Sequence, residues 1–467
     1  MEEALSEAMG QELHRDPHRP AYHFVPPANW MNDPNGLIQW RGEYHMFYQH
    51  NPHAPVHEGR GGTIYWGHAV SQDLVHWRHL PIALAPGPTP ADSAGVWSGC
   101  AVDNGGVLTL VYTGVDPEVQ CLATSTDGVH FTKYSGNPVI GARPEGFDLW
   151  GFRDPYVWKE DDGWYMALGS GIKGVGGAVL LYRSTNLYDW SFLHPLCVGK
   201  LEETGYNWEC PNFFALDGRH VLIVSPHSNP IYFVGKYERH RFEPERWGVV
   251  DYGPAFYAPQ VFIDDRGRPI MFGWLKEQRS EAEQIRAGWS GVMSLPRILS
   301  LRHDGTLGCE PAPEVQLLRA EHWRFEDLTV AQSAPLELSG VRGDALEILA
   351  EFVPNRAGAG EGAHRAGLSV LRAPDGSEQT IIEYDQQAGC LRVGGEEAPL
   401  QLAAGEALQL RVFVDRSVVE VFANGRVCIA TRVYPQRPDC LGVALVAQGG
   451  QAYASSVDVW RMNSIWP

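Results

Sequence analysis

Ser71-Gln72-Asp73-Leu74-Val75-His76-Trp77 returns as Ser125-Thr126-Asp127-Gly128-Val129-His130-Phe131, and again as Ser184-Thr185-Asn186-Leu187-Tyr188-Asp189-Trp190. A second series marks another phase of the same repeat: Asp33-Pro34, Trp97-Ser98-Gly99, Asp154-Pro155, Glu209-Cys210-Pro211 and Ala258-Pro259-Gln260. Successive members stand roughly 50–65 residues apart, which suits a four-stranded sheet with its turns; five units in succession read as a five-bladed β-propeller. Strand text fills each period, as in Tyr44-His45-Met46-Phe47-Tyr48, Trp164-Tyr165-Met166-Ala167-Leu168 and Pro269-Ile270-Met271-Phe272-Gly273. Gly, Asp and Asn bound these runs, as turns require.

Working outward, the repeat occupies residues 21–312, preceded by a polar extension over 1–20. Beyond it, 313–325 reads as a linker that enters a short helical piece at Val315-Gln316-Leu317-Leu318. Residues 326–467 alternate in strand fashion and contain a hairpin, Val418-Val419-Glu420-Val421-Phe422 turning at Asn424-Gly425 into Val427-Cys428-Ile429-Ala430. This pattern predicts a C-terminal β-sandwich. The run Ala357-Gly358-Ala359-Gly360-Glu361-Gly362 reads as a flexible surface connection.

Composition agrees with an all-β protein. The 467 residues are 44% hydrophobic and 11% aromatic, with 51 Gly and 33 Pro, which favours short strands and tight turns over a helical bundle. The net charge of −19 argues against nucleic acid as a partner, because that affinity comes mostly from clustered Lys and Arg. No apolar run suits a signal peptide or a membrane span, so no membrane partner is expected; the oligomeric state is left open. Eight cysteines lack a compact spacing framework, which points to free thiols and a cytoplasmic location.

Three acids share the phase of the second series: Asp33, Asp154 and Glu209, each with an aromatic residue shortly before it and a proline shortly after. In a propeller the first strand of every blade lines the axis, so these carboxyls should converge. Hydrolysis of a glycosidic bond needs such a set, one acid to protonate the leaving oxygen and one carboxylate to attack the sugar carbon. No cofactor or metal is expected. The pairs His14/His18 and His53/His57 lack an acidic co-ligand, and Gly169-Ser170-Gly171-Ile172-Lys173-Gly174 matches a dinucleotide fingerprint without the helix that should follow.

The chain resembles glycoside hydrolase family 32, the family of invertases, fructanases and sucrose-6-phosphate hydrolases. The resemblance rests on Trp30-Met31-Asn32-Asp33-Pro34-Asn35-Gly36, Phe47-Tyr48-Gln49-His50-Asn51-Pro52, Trp97-Ser98-Gly99, Phe152-Arg153-Asp154-Pro155, Glu209-Cys210-Pro211 and Gly288-Trp289-Ser290-Gly291-Val292-Met293. It implies the same propeller followed by a sandwich. It further implies that Asp33 is the nucleophile, Glu209 the general acid/base and Asp154 the residue holding fructosyl hydroxyls. Fructosyl contacts are implied for Asn32, Gln49, Trp97, Ser98 and Trp274, with Arg153 beside the acids.

The expected activity is that of a retaining β-fructofuranosidase, cleaving terminal fructosyl units from sucrose or short fructo-oligosaccharides through a covalent intermediate. Repulsion among three acids should keep one protonated, with Glu209 as the proton carrier, while Arg153 favours ionisation of Asp154. Sucrose-6-phosphate hydrolysis and fructosyl transfer are alternatives on the same site, and a non-catalytic sugar-binding propeller is a remoter one. A phosphate would need a cation among Lys173, Lys276, Arg279 and Arg286. One departure from the family pattern is His57, which stands where an aromatic wall is usual, followed by a Gly-rich loop.

Overall fold

The computed structural model describes residues 16–57, 63–332, 334–353 and 363–466. The run 357–362, read above as a flexible connection, lies outside the described residues, as do most of the N-terminal extension and the Gly-rich loop after His57. Strands dominate, and no helix of the described residues is long and apolar enough to cross a membrane. The chain separates into two compact units. One comprises residues 25–250 and 256–307; the other comprises 1–24, 251–255 and 308–467.

The first unit holds five sheets in chain order, each built outward from one inner strand: Asn29–Trp40, Val96–Asp103, Leu149–Glu160, Glu209–Leu216 and Phe256–Ile263. Each inner strand touches the next, and the fifth touches the first. Trp289 and Ser290, which follow the fifth sheet's second strand, return to pair in parallel with Asn29 and Trp30. Aromatic and aliphatic side chains fill the wedges between neighbouring sheets, with Trp66 and Tyr112 in one and Phe152, Val111 and Leu122 in the next. The recurring Ser-x-Asp/Asn segments are the turns between third and fourth strands. Asp73 Oδ1 accepts from the backbone N–H of Val75 and His76, and Asn186 Oδ1 repeats this with Tyr188 and Asp189.

The inner strands share a second feature. Each departs from regular pairing at the phase marked in the sequence: between Met31 and Pro34, between Trp97 and Gly99, near Asp154, between Glu209 and Asn212, and between Tyr257 and Gln260. Proline is the cause in four of the five, because it has no N–H to give to a ladder and pushes the preceding residue off helical geometry. Asp154, Cys210 and Ala258, each followed by proline, take positive φ values of 62°, 47° and 45°. Left-handed backbone at residues with a Cβ is strained and persists where surrounding structure dictates it.

Side-chain amides replace the hydrogen bonds these bulges forfeit. Asn212 donates to Pro259 O at 2.8 Å and accepts from Val261 N at 2.7 Å, bridging the fourth and fifth inner strands. Gln260 accepts from Leu37 N and donates to Gly99 O, both at 2.7 Å, tying the fifth inner strand to the first and second. Gly99 has no room for a side chain: a Cβ there would stand 2.0 Å from Val111 O.

The second unit is two six-stranded sheets around one apolar core containing Leu346, Ile348, Val412, Leu368, Val443 and Leu445. Its hairpin pairs Val418–Ala423 with Val427–Arg432 through Asn424 and Gly425, both at positive φ, as expected of that turn text. Residues 313–325, read as a linker, form a short 3-10 turn over Pro313–Leu318 and the start of strand Arg319–Val330, which pairs with Ala452–Met462. The strand ends its sheet and is largely exposed, so its polar text lacks the alternation that marks a half-buried strand.

Candidate active site

The bulges aim three carboxyls at one place. A small void is lined by Pro34, Ser98, Asp154, Cys210 and Pro259, one residue from each inner strand. The Cys210 thiol is the clearest ruler: it donates to Asp33 Oδ2 at 3.6 Å and lies 3.7 Å from Asp154 Oδ2. Its chain neighbour is Glu209. Glu209 and Asp33 both act on the Asp154 carboxyl by charge, and Glu209 acts on Asp33, so the three acids stand close together although the sequence separates them widely.

Asp33 is held at both oxygens. Ser98 Oγ donates to Oδ2 at 2.6 Å, and Asn32 Nδ2 donates to Oδ1 at 3.1 Å. Gln49 completes the brace, accepting from Asn32 at 3.1 Å and donating to Ser98 Oγ. Burial raises the Asp33 pKa, the Ser98 hydrogen bond opposes that, and the charge of Glu209 adds to the rise. Such a brace fixes a carboxylate against rotation.

Glu209 sits among donors. Arg153 Nε and Nη2 both donate to its Oε1, at 3.2 and 2.7 Å, and Tyr257 OH donates to Oε2 at 2.7 Å. His227 Nε2 stands 3.7 Å from Oε1, and the His227 backbone N–H donates to Tyr257 Oη at 3.1 Å. The third donor of Arg153, Nη1, is taken by Glu118, a residue that no sequence motif distinguishes.

The Asp154 carboxyl is pushed up to about 7 by burial; the Arg153 charge favours ionisation, as its position in the sequence implies, but does not offset burial, and the charges of Glu209 and Asp33 add to the rise. The guanidinium spends its hydrogen bonds on Glu209 and Glu118, so Asp154 has only its charge and not its donors. Cys210 N–H donates to Asp154 Oδ2 at 3.0 Å, and Thr113 Oγ1 receives the Asp154 backbone N–H at 2.9 Å.

The remaining predicted residues surround this set. Trp97 lies under the Arg153 guanidinium, 5.6 Å from carbon to ring centre. Trp274 meets Trp30 edge to face at 5.7 Å, and Trp30 Nε1 donates to Asn32 at 2.9 Å. The Trp274 indole N–H is buried with no hydrogen-bond partner among the described residues. His57 packs its ring against Trp30 at 5.4 Å and so does border the pocket. All nine candidates, Asn32, Asp33, Gln49, Trp97, Ser98, Arg153, Asp154, Glu209 and Trp274, belong to one connected cluster. Sequence reading missed Glu118, Tyr257, His227 and the bridging amides Asn212 and Gln260; the Pro259-Gln260 repeat mark was the one available signal for the last.

Of the four cations considered for a phosphate, Lys173 is paired with Asp148 at 2.6 Å and Arg279 with Glu277 at 2.7 Å. Lys276 lies over the Tyr257 ring at 3.8 Å, and burial lowers its pKa against the pull of Asp33 and Glu209. Arg286 is in the last turn of helix Glu281–Ala287. No cluster of His, Cys, Asp and Glu suited to a metal ion occurs among the described residues.

Comparison with known proteins agrees with this arrangement. The glycosyl hydrolases family 32 N-terminal domain matches residues 23–311, and the family 32 C-terminal domain matches 314–461. A sucrose-6-phosphate hydrolase of Escherichia coli is 37% identical over 95% of both chains, and a raffinose invertase of the same species is also 37% identical with the same coverage. Among solved structures, fructan 1-exohydrolase IIa of Cichorium intybus in complex with 1-kestose superposes with a TM-score of 0.86 at 29% identity, covering 96% of this chain and 98% of that one. A Bombyx mori β-fructofuranosidase in complex with sucrose gives 0.82 at 31% identity, covering 100% and 98%. With both domains matched in order, this chain belongs to glycosyl hydrolase family 32 and is a glycoside hydrolase.

Proposed function

We propose that this protein hydrolyses terminal β-D-fructofuranosyl linkages in sucrose and short fructo-oligosaccharides, with retention of configuration. The observation that carries the reading is the Cys210 thiol within hydrogen-bonding reach of both Asp33 and Asp154, with Glu209 adjacent in the chain. In this reading the five sheets are blades of a five-bladed β-propeller spanning residues 21–312, and the β-sandwich begins with strand Arg319–Val330 rather than at residue 326. Cyclic contact of the inner strands supports the former, and two sheets around one core support the latter.

Asp33, braced by Ser98 and Asn32, attacks the anomeric carbon. Glu209 donates its proton to the departing oxygen, then takes one from the water that opens the fructosyl-enzyme. Asp154, deep in the pocket, accepts fructosyl hydroxyls, and the free indole N–H of Trp274 donates to another. Retention requires the carboxyls of Asp33 and Glu209 to stand about 5–5.5 Å apart, leaving no room for a water between nucleophile and sugar.

Incubation with sucrose and assay of both monosaccharides tests the reading. Equal glucose and fructose mean hydrolysis, an excess of glucose means transfer to another sugar, and neither product means that the protein only binds. Sucrose 6-phosphate is a second reading, favoured by Lys276, which has no ion pair among the described residues and lies beside the acids. Comparison of kcat/KM for the two sugars decides between them. Residence in the cytoplasm is part of the proposal and is supported by eight cysteines that remain free thiols.

A further inference from the structure

Two large aromatic side chains near the pocket are left in solvent: Trp150 is 50% exposed and Tyr206 is 41% exposed. Both stand close in sequence to residues of the acid centre, Trp150 three positions before Arg153 and Tyr206 three before Glu209. They meet edge to face with ring centres 5.5 Å apart. Tyr206 is also stacked on the His227 ring at 5.2 Å and 3°, and His227 Nε2 reaches to 3.7 Å from Glu209. An unbroken aromatic stair thus runs from the Glu209 carboxyl to the surface.

The stair is rigid. Gly177 N–H donates to Gly205 O at 2.9 Å and Trp208 N–H donates to Ser170 O at 2.8 Å, which clamps the segment carrying Tyr206 to the third sheet. Gly171 lies flush beneath it, since a Cβ there would stand 2.0 Å from Tyr206 O. Gly169 and Gly171 of the 169–174 run therefore seat Trp208 and Tyr206, which gives these two glycines a packing role. Lys173 holds the far end, with its ammonium 5.3 Å from the Trp150 ring centre and paired to Asp148.

We propose that Trp150 and Tyr206 form a stacking platform for the saccharide on the leaving-group side of the scissile bond. This rests on the assignment of Glu209 as proton donor: the acid must face the departing oxygen, so the departing sugar lies on the Glu209 side of the pocket. Sugar rings present C–H faces that stack on aromatic rings, and exposed apolar surface continuous with a polar pocket marks a ligand groove. Across the pocket, the Trp30 and Trp274 rings are packed on each other and serve the fructosyl end. The occupant is the glucosyl unit of sucrose or the longer residue of an oligosaccharide, which share this chemistry.

The test compares kcat and KM for sucrose, 1-kestose and methyl β-D-fructofuranoside, whose leaving group is too small to reach the platform. Trp150→Ala and Tyr206→Ala should each raise KM for a substrate with a sugar leaving group by roughly three- to tenfold, the range of a lost aromatic contact. KM for the methyl glycoside should stay at the wild-type value, and Trp150→Phe should restore most of the loss. A rise with sucrose identifies the glucosyl unit as occupant; a rise with 1-kestose alone identifies the longer saccharide. Equal changes for all three substrates, or none for any, overturn the platform. Wild-type protein that turns over none of the three overturns the fructosidase reading, and the platform with it.

Discussion

Arg153 gives two hydrogen bonds to a single oxygen of Glu209, from Nε at 3.2 Å and from Nη2 at 2.7 Å, while Glu118 holds its Nη1. The guanidinium is a fixed fork, so the pair sets the plane of the Glu209 carboxyl as well as its charge. Glu118 also accepts the Phe152 backbone N–H at 2.8 Å, which anchors the fork to the strand that bears it.

Arg153→Lys should therefore keep the charge and lose the aim. The expected result is a fall in kcat on sucrose of roughly 10²-fold, the scale of one misplaced electrostatic donor, with the melting temperature nearly unchanged. Steady-state kinetics and a thermal scan on the same preparation check it.

Glu209→Gln tests the proposed proton transfer, since it keeps the shape and cannot supply a carboxylic proton. Turnover should slow by roughly 10²–10⁴-fold with sucrose and far less with an activated aryl fructoside, whose leaving group departs without help. Equal losses on the two substrates would remove Glu209 from the acid role.

Asp154 links activity to stability with a definite sign. Its folded-state pKa lies above the ordinary aspartate value, at about 7, because burial penalises the charged form. The folded state thus binds the proton more tightly than the unfolded chain does. Stability from this group is present at low pH and declines as pH rises from about 4 to about 7. Asp154→Asn should raise the melting temperature relative to wild type, by an increasing margin over that interval, while sucrose hydrolysis collapses. A margin that shrinks with rising pH would show the sign to be reversed.

In the other unit, His23 is fully buried between two acids, with Nδ1 2.8 Å from Asp415 and Nε2 3.0 Å from Glu420. Burial lowers its pKa, but hydrogen bonds to Asp415 and Glu420 outweigh this and raise it overall. Its contribution is complete below the ordinary histidine value of about 6.5 and fades as pH climbs through the raised one. His23→Ala should cost roughly 3–5 kcal/mol at mildly acid pH, because it removes the ring that pairs with two buried carboxylates. Urea denaturation at several pH values should show the gap from wild type narrowing under alkaline conditions.

Much of the site was legible because its cause is local. Asp154 and Cys210 stand before prolines that cannot pair, so the same dipeptides that disclose the repeat also create the bulges that turn side chains inward. The braces were not legible. Glu118 follows Asp116-Pro117 in turn text, and Tyr257 resembles any strand tyrosine until closure of the sheets sets its hydroxyl on Glu209. Asn212 and Gln260 read as ordinary polar strand residues, since their partners lie on other sheets. Strand Arg319–Val330 escaped because an edge with both faces largely wet has no pattern to display.

The three acids of this molecule are mounted where backbone pairing fails, and not on the excursions that surround the entrance. A proline interrupts the ladder within two residues after each acid, and the amides of Asn212 and Gln260 tie the inner strands together across such breaks. Insertions or deletions around the entrance can thus redraw which saccharides are admitted without retuning the bond-breaking step, and descendants of such a chain can diversify in diet while their chemistry stands still.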